Sequence, residues 1–261
     1  MVGDPPNYDI KRERRDLYDG KAGRFDLVEV PAMTFLMVDG RGDPNTAPEY
    51  GAAVEALYAT SYAVRAAART VLGRVHTVGP LEGLWYADDP RVFTARDKDA
   101  WSWTMMIWQP DWVTPDILSA AMEKVTTTVP DAHERVRFDG YAEGSAVQTL
   151  HVGPYDDEGP IIARMHEEII PSHGATPSGH HHETYLSDPR RSDPARLKTI
   201  LRQPIPSTDA TDRRDRLLRA RSRDAGPGSA AGRGPPAACP PCPAGNTGSS
   251  RLRRAAARRP R

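Results

Sequence analysis

Apolar and polar residues change period several times along the chain, and each change marks an element. Residues 25–38 are dense in Val, Leu, Phe and Met and run into Asp39-Gly40-Arg41-Gly42-Asp43-Pro44-Asn45. That pattern predicts a strand ending in a turn-rich loop, with Pro31 at a bulge or an edge. A helix follows, because Pro48 suits a first helical position, Glu49 its first turn, and Val54, Leu57, Tyr58 and Tyr62 recur at helical spacing. The pattern breaks over 69–80 and resumes as two extended runs, 84–93 and 100–109, joined by a charged turn at 94–99. A second helix is expected over 114–127, with Thr114 as N-cap, Pro115 at the first position, and Ile117, Leu118, Ala121, Met122 and Val125 on one face. Beyond it, 135–138 and 145–152 read as strands, and Gly153-Pro154-Tyr155-Asp156-Asp157-Glu158-Gly159-Pro160 opens a helix to residue 170. A last strand at 181–187 leads to a short helix begun by Asp193-Pro194 and ending near residue 201.

The order of these elements repeats. Val38-Asp39-Gly40, a polar loop and a helix opening with Pro48 match His151-Val152-Gly153, a polar loop and a helix opening with Pro160. The expected fold is therefore α+β: duplicated strand-helix-strand-strand units, about 25–110 and 134–190, forming a two-layer sandwich. Helices are placed on one face and a concave ligand cleft on the other, a pocket between units being the usual ligand site. Residues 1–24 are a lead-in, 25–205 the domain, and 206–261 a tail.

Composition separates that tail from the body. From residue 206 onward there are 13 Arg, no Lys and 4 Asp, which leaves 22 basic and 31 acidic residues before it, so a formal charge of zero hides an acidic body and a basic tail. The tail has no aromatic residue and is built of Arg, Ala, Pro, Gly and Ser, a composition expected to stay disordered. It reads either as an Arg-rich arm for phosphates or, equally well, as an appendage or out-of-frame extension of a GC-rich gene. Both cysteines, Cys239 and Cys242, fall in it, so no disulfide framework or Cys-based zinc site organises the body. No apolar run approaches the roughly 20 residues of a membrane span, and no export signal is seen, so a cytoplasmic location is expected.

Two features carry candidate chemistry. All five Trp, at 85, 101, 103, 108 and 112, lie within 28 consecutive residues. Trp101 and Trp103 share a strand face; they are either core or walls for a flat aromatic ligand. Glu183 shares a strand face with His181 and Tyr185; it is either solvent-facing or, in an aromatic cleft, a general base or a partner for a cation. Glu82, in Pro80-Leu81-Glu82-Gly83-Leu84-Trp85, is a second carboxylate candidate or a turn residue. His180, His181 and His182 alternate faces, and His166 and His173 lack metalloprotease spacing, so no metal site is expected. Phosphate loops, nucleophile elbows and dinucleotide fingerprints are missing, and no cofactor is expected.

Taken together, Asp16-Leu17-Tyr18, Val30-Pro31-Ala32-Met33, Val38-Asp39-Gly40-Arg41-Gly42-Asp43-Pro44-Asn45, Ala56-Leu57-Tyr58 with Ser61-Tyr62, Pro80-Leu81-Glu82-Gly83-Leu84-Trp85, His151-Val152-Gly153-Pro154-Tyr155 and Glu183-Thr184-Tyr185-Leu186-Ser187-Asp188-Pro189 resemble the GyrI-like small-molecule-binding family. The resemblance covers about residues 8–205 and is nearest the free-standing branch that contains cyclopropanoid cyclopropyl hydrolases. It implies a duplicated α/β fold, a cleft glutamate at Glu183, and cage walls from Trp85, Trp103, Tyr155 and Tyr185, with Trp101, Trp112 and Tyr58 as further candidates. The function expected is hydrolytic opening of the cyclopropane of duocarmycin-like alkylating antibiotics, with Glu183 first and Glu82 second as the base, giving self-resistance or detoxification. The alternative is a non-catalytic protein that sequesters planar or cationic drugs in the same cage. A third reading is a macromolecular partner such as DNA gyrase, or nucleic acid held through the tail. A DNA-binding regulator is disfavoured, since no helix-turn-helix pattern is seen. The expected partner is thus a small planar aromatic molecule, with no membrane.

Overall fold

The computed structural model describes residues 6–89 and 91–206. The expected disorder beyond Pro206 and the Cys239–Cys242 pair lie outside the described residues. In chain order the elements are β1 (Asn7–Tyr8), α1 (Ile10–Glu13), α2 (Arg15–Tyr18), β2 (Phe25–Val30), β3 (Met33–Arg41), α3 (Pro48–Leu72), β4 (Val75–His76), β5 (Leu81–Tyr86) and α4 (Arg91–Ala95). There follow β6 (Ser102–Gln109), α5 (Pro115–Val125), α6 (Ala132–Arg135), β7 (Arg137–Tyr141), β8 (Gly144–Val152), α7 (Gly159–Arg164), α8 (Ile170–Ser172), β9 (His181–Tyr185) and β10 (Lys198–Pro204).

Eight strands make one antiparallel sheet in the order β2-β8-β10-β9-β5-β6-β3-β7, while β1 and β4 form a separate parallel pair. The duplication is visible in this order. One unit, β3-α3-β5-β6, lies as β5-β6-β3; the other, β8-α7-β9-β10, lies as β9-β10-β8; and the two meet where β5 pairs with β9. The sheet also curls on itself. Two residues, Pro31 and Ala32, join β2 to β3 and span about 10 Å, yet six strand spacings of about 4.8 Å separate those strands in the sheet order. Ala142 and Glu143 join β7 to β8 in the same way. Val30 pairs with Gly144 and Met33 with Tyr141, so one register runs across both breaks and the ends of the sheet meet.

The structure revises several boundaries. The strand expected over 25–38 is divided at Pro31, which has no N–H to donate, and the first repeat begins at β3. Phe93 is not extended but lies in α4, where the Asp89 carboxylate accepts from the Arg91 backbone N–H and turns the chain. The short helix expected from Asp193 to near residue 201 is a single 3-10 turn, Pro194–Arg196, followed by β10. This strand is flanked by β8 and β9, so the second unit extends to Pro204. The helix from Pro160 is α-helical only to Arg164; a π-helical turn, Met165–Ile169, then leads into α8, where Pro171 supplies no N–H.

Helix α3 opens with Pro48 and ends at Gly73, whose φ of 61° is the left-handed conformation that closes helices. Its buried side is Ala53, Ala56, Leu57, Thr60, Ser61, Val64, Ala67 and Ala68, mostly small residues that let the helix approach the sheet. The sequence stripe of Val54, Tyr58 and Tyr62 is a different flank. Thr114 caps α5 by accepting from the Ile117 N–H, as its sequence implied, and Ile117, Ala121 and Val125 pack into the same core as α3. Trp103 is fully buried there with its ring over Gly40; a Cβ at Gly40 would lie 2.1 Å from the indole, so only glycine fits.

Long helices cover one face of the sheet. Glu183, Gly83, Met105 and Val38 are direct cross-strand neighbours on that face, and Leu201 continues the row into the second unit's core with Met165 and Ile170. The opposite face is covered by the lead-in, whose Ile10, Leu17 and Tyr18 pack on Phe35, Met37, Leu84 and Met106. No helix among the described residues is long and apolar enough to cross a membrane.

Candidate functional site

A groove of about 2320 Å³ opens between α3 and α7. It lies on the helical face, where the two units leave β5 and β9 uncovered, and not on the opposite face as the sequence reading placed it, because the lead-in fills that side. Its size exceeds the ~300–1,000 Å³ usual for drug-sized pockets.

Both units supply the walls. The α3 flank brings Tyr50, Val54, Tyr58 and Tyr62, spaced four residues apart so that they share one side of the helix. The first unit adds Trp85 from β5 and Phe93 and Trp101 from the β5–β6 connection; the second adds Tyr155, Glu158, His166, His181, Glu183 and Tyr185. Tyr50 stacks on Trp85 with centroids 6.4 Å apart, Trp101 meets Trp85 edge-on at 5.8 Å, and Tyr155 meets Tyr185 edge-on at 5.6 Å.

Glu183 is held within this lining with its side chain 13% exposed. The Tyr185 hydroxyl donates to Glu183 Oε2 at 2.7 Å, and the Trp85 indole N–H donates to the Tyr185 oxygen at 3.1 Å. On the other side, His181 Nε2 lies 3.6 Å from Glu183 Oε1. Glu158 is buried, and its Oε1 has no hydrogen-bond partner among the described residues. Burial first and the nearby Glu183 second push its pKa up to about 9, so it carries a proton at neutral pH. Burial, then Glu158 and Glu183, raise Tyr155 to about 12. Burial and Glu183 likewise raise Tyr185 well above the usual phenol value.

Of the sequence candidates, the groove brings together Glu183, Trp85, Trp101, Tyr58, Tyr155 and Tyr185. Three others are placed elsewhere. Trp103 lies under Tyr50 in the core, its N–H donating to the Gly42 carbonyl. Trp112 packs against Tyr8 with the Arg74 guanidinium 4.8 Å from its ring. Glu82 is fully buried on the opposite face, since it is one residue out of phase with Gly83, the cross-strand neighbour of Glu183. There it accepts from the Tyr18 hydroxyl at 2.8 Å and pairs with His182 Nε2 at 3.0 Å. The other His182 nitrogen meets Glu143 at 2.9 Å, and Arg202 joins Glu143, Gln148 and the Leu17 carbonyl. Burial opposes charge on His182, but Glu143 and Glu82 outweigh it and raise its pKa to about 9; Glu143, buried but beside His182 and Arg202, falls to about 2.

The sequence reading missed Tyr50, Phe93, Glu158 and His166. Two of them had a signal: Tyr50 extends the Val54-Tyr58-Tyr62 series by one step of four, and Glu158 is the residue before Gly159-Pro160, at the start of α7. Among the described residues no cluster of His, Cys, Asp and Glu could hold a metal ion.

The family of GyrI-like small molecule binding domains matches residues 24–205. No curated protein matches the chain. Among solved structures, an uncharacterized conserved protein from Listeria innocua is 38% identical and has a TM-score of 0.70, covering 76% of this chain and 100% of its own. Two structures described as hydrolases from Listeria innocua are 37% and 36% identical, with TM-scores of 0.68 and 0.65; they cover 77% and 76% of this chain and all of their own.

Proposed function

Since the chain belongs to the GyrI-like small-molecule-binding family, we propose that its groove hydrolyses a small planar molecule, and that the bond opened is the strained cyclopropane of a spirocyclopropyl dienone of the duocarmycin kind. The observation that carries this reading is a pair of carboxyl groups in an aromatic groove, Glu183 held by a phenol and Glu158 keeping its proton. The relatives described as hydrolases support the reaction class.

The walls from Trp85, Trp101, Tyr50 and Tyr155 stack the planar ligand and keep bulk water away, which fixes the reacting carbon against Glu183. Glu183 takes a proton from one water as the water oxygen bonds to the ring methylene. The carbon–carbon bond of the cyclopropane breaks, and its electron pair passes into the dienone, which becomes a phenolate. Glu158 gives that oxygen its proton, and the Tyr155 hydroxyl is the donor that steadies the developing charge. Tyr185 does not serve there, because its hydrogen is committed to Glu183. The net change is addition of one water. Destroying an alkylating agent this way protects DNA, whether as self-resistance or as detoxification.

A second reading, sequestration without turnover, is favoured by the unpartnered Glu158 oxygen, which a cationic or N–H-bearing ligand would satisfy. Incubation with a duocarmycin-type drug, denaturation and mass spectrometry separate the two. Hydrolysis gives a product heavier by one water in molar excess over protein; sequestration returns the drug intact.

A further inference from the structure

We propose that His181, with His166 behind it, relays to solvent the proton that Glu183 takes from water, so that these two imidazoles reset the carboxylate between turnovers; the inference rests on the hydrolytic reading above.

Geometry divides the two oxygens of Glu183 between different neighbours. Oε2 is occupied by the Tyr185 hydroxyl, whereas Oε1 faces His181 Nε2 at 3.6 Å. Both residues project from β9 on the same face as Glu183, two positions to either side of it. The phenol holds the carboxylate in place, while the imidazole offers one ring nitrogen that can take up a proton and a second that can release one.

His181 makes no hydrogen bond among the described residues, although its Nε2 lies 3.6 Å from Glu183 Oε1. Both of its ring nitrogens are buried and lack a hydrogen bond among the described residues, as does Nε2 of His166, whose ring centroid is 6.4 Å away. Three buried imidazole nitrogens without a hydrogen bond, two of them on the ring beside Glu183, are costly to bury unless they do something. Fold stability gives no reason for them, since the apolar core of this unit closes through Met165, Ile170 and Leu201.

His166 sits in the π turn Met165–Ile169. Such a turn inserts one residue into the helix, rotates the residues on either side by about 100°, and is frequent at functional sites. Here it presents His166 to the groove and to His181. Burial first and His181 second hold the His166 pKa below the usual imidazole value, so it is a neutral acceptor at pH 7. The titratable groups against His181 are Glu183 and Tyr185 on its own strand and His166 from the π turn. Its partner on β5 is Trp85, Gln203 of β10 lies beside His166, and Glu158 at the start of α7 acts on Glu183.

The balance of protons closes. Water gives one proton to Glu183, which passes it through His181 Nε2 to His166 and solvent; Glu158, having given its proton to the product oxygen, regains one from solvent. No net proton is consumed, and no oxidant or reductant is needed.

The test compares the wild-type full chain with His181→Gln and His166→Gln, using a duocarmycin-type spirocyclopropane and tryptophan fluorescence to show that each variant still binds it. In His181→Gln steady-state turnover is expected to fall on the order of 10²-fold after a burst of one product per protein, a larger loss than in a single turnover with protein in excess. Added imidazole restores the steady state in proportion to its unprotonated fraction, and His166→Gln shows a smaller loss. Unchanged steady-state turnover in His181→Gln, or an equal loss in single and multiple turnovers that imidazole does not rescue, overturns the relay alone. A wild type that never turns over overturns the hydrolytic reading and the relay together.

Discussion

Glu158 owes its character to its surroundings. A carboxyl in water loses its proton well below neutrality, but this one is buried beside Glu183, and both effects disfavour its charge until its pKa reaches about 9. The consequence for stability follows from linkage. Between its ordinary value of 4.5 and about 9 the unfolded chain releases this proton and the folded chain does not, so folding weakens as pH rises across that window. Replacing the residue removes the penalty. Glu158→Gln is expected to raise the thermal unfolding midpoint at pH 8 to 9 with little change at pH 4, and to lower turnover on the order of 10²-fold because glutamine has no proton to give. Melting curves across pH, run beside a turnover assay, check both halves. An unchanged midpoint at pH 9 would contradict the buried, proton-holding state.

At the scale of elements, β9 does two jobs with its two faces. His181, Glu183 and Tyr185 face the groove, while His182 is locked between Glu82 and Glu143 on the other side and, through Arg202, ties the sheet to the Leu17 carbonyl of the lead-in. Buried ion networks of this kind are strongly destabilised when one member is lost. Glu143 contributes fully above its ordinary 4.5 and loses its contribution as pH falls toward about 2; His182 contributes fully below 6.5 and loses it as pH rises through about 9. The network is therefore strongest between about pH 4.5 and 6.5. In a Glu158→Gln background, which removes that residue's own decline above pH 4.5, denaturant titrations are expected to show highest stability in that window, and His182→Gln added to it to lower the plateau and flatten the alkaline decline. A double variant with the profile of that background would mean the network contributes nothing. Much of this element-level detail was legible: the Thr114 cap, the Pro48 start of α3 and the alternation on β9 all follow from local patterns. β10 was not, because Arg202 and Gln203 look like surface residues and are buried only through the hydrogen bonds they make to distant parts of the chain. Nor was the core side of α3 legible, since alanines, Thr60 and Ser61 carry less hydrophobic signal than the groove-facing tyrosines.

For the whole molecule, the sequence order of strand, helix, strand and strand, repeated, was enough to read an α+β fold with two related units. Closure of the sheet was beyond it. The link between β2 and β8 or β3 and β7 is a pairing across more than 90 residues, and no local pattern reports such a register. The same limit explains the groove. The clustered tryptophans pointed to an aromatic site, but only the packing of α3 and the lead-in decides that Trp85 and Trp101 line it while Trp103 and Trp112 do not. Once the two units are joined at β5 and β9, the carboxyl pair, the phenols and the indoles all face one groove. In the proposed reaction Glu183 activates water there. The most direct measurement is turnover of a duocarmycin-type spirocyclopropane by wild type and Glu183→Gln, with affinity measured on the same samples. The expected result is near-equal binding and a loss of turnover on the order of 10²-fold or more in Glu183→Gln. Wild-type turnover in that variant would contradict the account.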